Sequence, residues 1–531
     1  MKKLFLPLIL LQSAALCFAL TPKDEMIFKA MQDEMRRSMS ELKMDNMPRP
    51  YFITYFAEDF KGFTINAQNG SLTNVSEISY VDTKVSLRVG SYKEDNSFFN
   101  SYIYASSDQQ YPSLSYDGLR AGLWDQTNKA YKDALAILAK KQAYKKNKNI
   151  SDNSPDFSPA KPAVYLEDIT PPEIDDNYWQ NLARELSAQG NIKELDKFGA
   201  NINIRFFPSY FISSEGSKYA EGYYYIRVYI SAEAKTKAGF ELKESKELLY
   251  ADFKDVPSKE ELIKQARAFA LQTAELTKAE KAEPYIGPVL LEGSAAASLF
   301  YNKFIQQISS PKPVLSEQSN PYQGELTLKK GLKILPADFD VIDDPLASVF
   351  NGKKLLAGYK IDNEGVLPQK INLITNGKLT ALPATRSLFE GQKESNGHAK
   401  AGRDLFWEAG VRNIFVKPHN PIASHEFKNK FLEYCRQESL DYCYIIKSSP
   451  FAEYFSAYKI DAKTGRETPV YGAVAENIST RTLRDIKYAS DDTEVYNVST
   501  ASIVTPSLIL SEIEIKPTQK PPARKPLIPK P

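Results

Sequence analysis

Histidine is almost missing from this chain: His398, His419 and His425 are the only three in 531 residues. A catalytic zinc commonly takes three protein ligands, mostly histidine or carboxylate. A zinc site here would therefore need these histidines to converge with Glu426, Cys435 or Cys443, and nothing in their spacing requires it. His425-Glu426 opens like the zinc-protease motif His-Glu-x-x-His, but Asn429 stands one helical turn on, where the second imidazole belongs. Cysteine is as scarce, with Cys17, Cys435 and Cys443 alone, and no Cys-x-x-Cys pair exists. There is no Gly-x-Ser-x-Gly elbow and no phosphate-cradling Gly-rich loop ending in Lys-Ser/Thr. Charge of one sign is missing too. The formal net charge is +2, which gives no electrostatic case for nucleic acid or an anionic membrane. Past the first 19 residues no apolar run is long enough to span a bilayer.

What is present begins with an export signal. Lys2 and Lys3 precede an apolar run from Leu4 to Leu16, and Cys17-Phe18-Ala19 puts small residues at the recognition positions. The pattern predicts cleavage after Ala19 and a periplasmic or envelope location. Lipidation at Cys17 is disfavoured by Leu16, where a small residue is preferred. The removed segment carries two lysines and no acid, so the mature chain has equal numbers of the two signs. In an exported chain Cys435 and Cys443 have two open states, a disulfide or two buried thiols.

Periodicity and turn residues divide the remainder into a 20–148 α+β region, a 149–163 linker or long loop rich in Ser, Pro, Asp and Asn, a 164–283 central α+β region, a 284–515 β-rich domain and a 516–531 Pro/Lys-rich tail. Helices are expected at 22–44, capped by Thr21 with Pro22 at its first position, and at 117–145. Others are expected at 173–188, at 258–278 with Ser258 as cap, along a stretch reaching Phe304 and Ile308, and at 424–438. Strands are expected at 51–57 and 63–67 with a polar connection between them, and at 81–90, 206–213, 223–232, 240–251 and 508–515. The lysines from Lys140 to Lys148 read as a solvated helix end. The tail reads as extended and unpaired. The fold class is α+β: N-terminal regions with antiparallel sheets and long helices, then a β-rich C-terminal domain.

Candidate chemistry is sparse. His398 lies in the glycine-bounded loop 395–402 with Lys400, and Arg403 follows. Such a loop can offer backbone N–H groups and cations to a carboxylate or a peptide terminus, or can simply hold its histidine in one structural hydrogen bond. Asp343 and Asp344 are adjacent, so on a strand they point to opposite faces and make a poor acid/base pair.

Several fragments, in order, resemble the TldD/PmbA (modulator of DNA gyrase) metallopeptidase-related family. They are Ser213-Ser-Glu-Gly, Tyr285-Ile-Gly-Pro-Val-Leu-Leu-Glu-Gly-Ser-Ala-Ala, Val341-Ile-Asp-Asp-Pro, Asp362-Asn-Glu-Gly-Val, Asn376-Gly-Lys-Leu and Ser395-Asn-Gly-His. The resemblance implies an N-terminal α+β part, a β-rich C-terminal domain, and pairing of a zinc-bearing subunit with a metal-free one. In the zinc-bearing type a His-Glu-x-x-x-His helix follows the apolar strand. Anchored on Pro288-Val289-Leu290-Leu291, that motif falls on Tyr301, Asn302 and Gln306, which supply neither imidazole nor general base. The resemblance thus implies no metal on this chain, zinc on a homologous partner in a dimer or hetero-oligomer, and peptide as substrate. The alternatives are an envelope binding or scaffold protein that keeps the fold, and a hydrolase with a site relocated to His398 or the histidines near His419.

Overall fold

The computed structural model describes residues 20–100, 106–150, 155–308, 314–316, 324–388, 392–400, 409–498 and 500–520. Residues 1–19, Arg403 and the last eleven residues of the chain lie outside them.

Seven strands make the N-terminal sheet: β1 (Pro50–Gln68), β2 (Ser71–Val89), β3 (Ser106–Tyr111), β4 (Val164–Leu166), β5 (Leu195–Ser213), β6 (Lys218–Lys235) and β7 (Glu241–Tyr250). Their order is β3-β2-β1-β5-β6-β4, with β7 also on β6. The expected pair of short strands at 51–57 and 63–67 is one 19-residue strand. Its Glu58 to Lys61 segment is not a connection, because it pairs along its length with Ser79 to Asp82. Asn69-Gly70 closes the β1–β2 hairpin with both residues at positive φ, as a tight hairpin turn requires. Ser214 to Gly216 turns β5 into β6.

The residue period of two decides which face of this sheet is covered. Ile53, Tyr55, Ala57, Phe63 and Ile65 of β1 are buried on one face, with Phe198 to Tyr210 in alternation on β5 and Ile226 to Ala234 on β6. On that face lie α1 (Pro22–Glu41) and α2 (Tyr116–Lys148) at one end, and α3 (Asp176–Ala188) and α4 (Lys259–Leu276) at the other. Thr21 caps α1 in a capping box with Asp24. The predicted stripe of α2, Leu119, Leu123, Thr127, Ala130, Ala134 and Leu138, is buried in full.

The C-terminal part follows from residue 280. One sheet has six strands, built around Phe339–Asp343 and Asn413–Pro418. Another has seven, built around Tyr285–Leu291, Tyr442–Ile446 and Leu508–Pro517. Pairing is mostly antiparallel, with parallel contacts such as Tyr442–Ile446 beside Tyr285–Leu291. The helices α5 (Ser294–Lys303) and α6 (Ser424–Gln437) bury Ala295, Leu299, Phe300, Phe427 and Phe431 in the shared core. The α5 helix is shorter than expected: it ends at Lys303 and a 3-10 turn, Ile305–Gln307, follows. No helix among the described residues is long and apolar enough to cross a membrane.

Three expectations need correcting. Lys141 is not solvated. It is buried, with Nζ 2.6 Å from Asp156 and bonded to the carbonyls of Asp95 and Ser97. The described end of the 149–163 stretch is not a plain linker, because Asp156, Phe157 and Ser158 are buried between the two parts of the molecule. The final strand runs to Pro517, so Lys516 and Pro517, assigned to an unpaired tail, lie opposite Val474 and Ala473. A proline at a strand's last residue costs only one terminal donor.

Candidate functional site

The second face of the N-terminal sheet is covered at one end and open at the other. Phe56, Phe211 and Tyr219 pack there against Ile361 of the C-terminal part, with Phe56 and Tyr219 at the open edge. Beyond them the sheet becomes the floor of a cleft of about 1080 Å³. Its opposite wall is C-terminal: the 345–348 and 355–360 loop segments, Lys400, Arg412 and Tyr301.

The floor consists of cross-strand rows, because residues two apart on a strand share a face. Tyr80, Phe60, Phe207 and Tyr223 form an aromatic row across β2, β1, β5 and β6. Their rings are in contact: Phe60–Tyr80 at 4.8 Å, Phe60–Phe207 at 5.1 Å, and Phe207 stacked on Tyr223 at 4.7 Å. The row on one side is Asp82, Glu58, Ser209 and Glu221. On the other side Gly62 leaves room for Arg205, whose Nη1 a Cβ at Gly62 would meet at 2.1 Å. The Arg205 guanidinium is 5.6 Å from the Phe60 ring and bonds Thr64 and Asn203.

Burial shifts the floor's ionisable groups. Glu58 is pushed up to about 7, first by desolvation and then by the charge of Asp82, against the opposing pull of Lys400 and the Ser209 hydroxyl. Desolvation raises Asp82 as well, offset by its hydrogen bond from Gln110 at 3.0 Å. On the wall, Arg412 donates to the carbonyls of Thr500 and Lys400, both at 2.7 Å. Lys400 Nζ sits 2.6 Å from Glu221 and 5.0 Å from the ring centre of Tyr359.

Residues 285–517 match the family described as PmbA/TldA metallopeptidase C-terminal domain. Over that C-terminal stretch the chain is similar to the TldD/PmbA family. Solved structures agree on the fold over most of the chain. A Thermotoga maritima protein described as a modulator of DNA gyrase superposes with TM-score 0.62 at 14% identity, covering 92% of this chain and 100% of its own. TldE from Thermococcus kodakarensis gives 0.58 at 14% identity, covering 92% and 99%. A Bacteroides thetaiotaomicron protein, also described as a modulator of DNA gyrase, gives 0.60 at 12% identity, covering 94% and 100%. No curated protein matches the chain.

The residues onto which the resemblance sets the zinc motif are Tyr301, Asn302 and Gln306. Tyr301, on the last turn of α5, lines the cleft, and its hydroxyl is 3.2 Å from Thr500 Oγ1. Asn302 donates back to the Ser298 carbonyl at 2.9 Å. Gln306 lies past the helix end on the 3-10 turn, exposed. This set does not fit zinc: a phenol and two amides are poor donors, and the helix ends before Gln306. No three His, Cys, Asp or Glu among the described residues are gathered as a ligand set.

Of the described loop candidates Lys400 reaches the cleft and His398 does not; Arg403 lies outside the described residues. His398 is wholly buried behind the wall, with Nδ1 2.9 Å from the Asn396 carbonyl and Nε2 3.3 Å from Asp343. Asp343 in turn accepts the backbone N–H groups of Asn413 and Arg412. His419 meets Asp340 at 3.2 Å near the surface, and His425 is exposed at the start of α6. Cys435 and Cys443 are joined as a disulfide between α6 and the strand Tyr442–Ile446. Sequence reasoning missed the whole floor, Glu58, Phe60, Asp82, Phe207 and Tyr223. The signal was available in Phe56-x-Glu58-x-Phe60 and Tyr219-x-Glu221-x-Tyr223, aromatic and acidic residues repeating with period two on one face.

Proposed function

We propose that this chain is an exported, metal-free member of the TldD/PmbA type that binds peptides in its interdomain cleft and works with a zinc-bearing homologous subunit. The observation that carries the reading is Tyr301. The helix that would present zinc ligands in a metallopeptidase is kept, yet it delivers to the cleft a phenol held by Thr500. The cleft itself stays large and lined by aromatic rings and charge, as a binding site does. An extended peptide fits a floor of parallel rows, because its own side chains alternate with the same period. Hydrolysis, in this reading, is the partner's work.

The test is elemental analysis with native mass measurement on the mature protein, alone and mixed with a zinc-bearing homologue from the same cell. The expected result is a mass starting after Ala19, no stoichiometric zinc on the chain alone, and a mixed oligomer that cleaves peptides. One zinc per chain on the isolated protein, or no association with any homologue, would overturn the reading.

A further inference from the structure

The cleft floor holds two facing carboxylates that make no ion pair among the described residues. Glu58 on β1 and Asp82 on β2 stand directly opposite one another. Like charges facing across two strands destabilise a sheet. The cations nearby have other partners: Lys400 pairs with Glu221, Arg227 with Glu247, and Arg205 bonds Thr64 and Asn203 through Nη2, while Lys84 is buried two residues from Asp82 on the same face. Glu58 has the Ser209 hydroxyl, and Asp82 has the Gln110 amide.

A second observation lies on the same sheet face, on β6, with β5 between it and Glu58. Tyr219 is wholly buried, borders the cleft, and has a hydroxyl with no hydrogen-bond partner among the described residues. The charges of Glu221 and Glu58 both act on that hydroxyl. An unpartnered hydroxyl among carboxylates is a ready acceptor for an ammonium or guanidinium. Lys400 shows how the same corner treats a cation, since its Nζ touches Glu221 and sits 5.0 Å and 5.9 Å from the ring centres of Tyr359 and Tyr219.

Resting on the peptide-binding reading above, we propose that the Glu58–Asp82 pair is a subsite for a cationic side chain and that the aromatic row beside it takes an apolar one. The two rows are two residues apart on each strand, roughly 6.5 Å. In an extended peptide, side chains i and i+2 are separated by the same distance on the same face. The preferred ligand is therefore an extended peptide with Lys or Arg at one position and Phe or another large apolar residue two positions away.

Fluorescence polarisation on the full mature chain tests this with three labelled, end-blocked pentapeptides: Ala-Lys-Ala-Phe-Ala, Ala-Glu-Ala-Phe-Ala and Ala-Lys-Ala-Ala-Ala. The lysine–phenylalanine peptide is expected to bind at least about tenfold tighter than the other two, the scale of one well-placed charge or ring contact. The double variant Glu58→Gln/Asp82→Asn should bring the lysine and glutamate peptides within about twofold, and Phe207→Ala should erase the preference for phenylalanine. Both carboxamides are near-isosteric, and a thermal melt confirms folding; should the double variant not fold, Glu58→Gln alone serves. Equal binding of the lysine and glutamate peptides by the unchanged protein overturns the cationic subsite and leaves peptide binding standing. Binding of none of the three overturns the peptide reading, and the subsite with it.

Discussion

Glu58 shows how a single position can look like a loop residue and be part of a site. In the sequence it interrupts an apolar strand. In the fold it faces the cleft from mid-strand, with its carboxyl pushed up to about 7 by desolvation and by Asp82, while Lys400 and Ser209 pull the other way. The folded chain thus holds a proton that an unfolded glutamate releases near its ordinary value of 4.5. Stability therefore falls as pH rises from about 4.5 to about 7 and is level above it. Glu58→Gln removes this slope. Relative to the unchanged protein the variant should gain about 1–2 kcal/mol between pH 5 and pH 8 in urea unfolding, a figure discounted for partial solvent access. His398 belongs to the opposite class. It is buried against Asp343 and outside the cleft lining. His398→Ala should cost about 2–4 kcal/mol in the same assay, by leaving a cavity and stripping Asp343 of its neighbour. Peptide affinity of the folded fraction should not change. A loss of affinity without a loss of stability would restore His398 as a site residue.

Among the elements, the helices were the more legible. Their stripes, caps and ends are local, and Thr21, Ser258 and the α2 stripe are where the pattern puts them. The long strands were less so. Alternation on β1 and β6 carries two different faces, one dry under helices and one lining a cleft, and the polar members of the second face read as breaks. α5 was overextended because Phe304 and Ile308 are apolar and buried, yet Phe304 caps the helix and Ile308 lies past a 3-10 turn. The pairing of Cys435 with Cys443 fastens the end of α6 to the start of the next strand across a separation of eight residues. A loop that short contributes about 2–3 kcal/mol by restricting the unfolded chain. Reduction by dithiothreitol, or Cys435→Ala/Cys443→Ala, should lower unfolding stability by that amount and leave the cleft's peptide binding intact.

Over the whole molecule, the two parts are joined by buried charge. Arg386 of the C-terminal part meets Glu215 of the β5–β6 turn at 2.7 Å and donates to the Ser158 carbonyl at 2.8 Å. Phe157 lies between the guanidinium groups of Arg386 and Arg88, at 4.1 Å and 3.8 Å. Nearby, Glu364 accepts the Arg386 backbone N–H, and burial raises both Glu364 and its neighbour Asp362 above the ordinary carboxyl range. Arg386→Ala takes one cation out of this junction and leaves Glu364 and Glu215 without it. The expected cost is about 3–5 kcal/mol, the range for breaking a buried ion pair from one side. Urea unfolding measures it, and Arg386→Lys should recover only part, because an ammonium cannot make the forked contact or stack on Phe157.

The sequence alone determined the α+β class, the helix stripes and caps, and the β-rich C-terminal domain. Each of these follows from residue type and local period. Only the tertiary structure decided which sheet face stays open, that Lys141 and Phe157 are interior, and that Glu58, Asp82, Phe207 and Tyr223 share one floor. These residues are brought together by strand pairing across as many as 165 positions, from Glu58 to Tyr223. Local pattern records that a residue alternates, whereas the partner strand and the covering domain decide what its face meets.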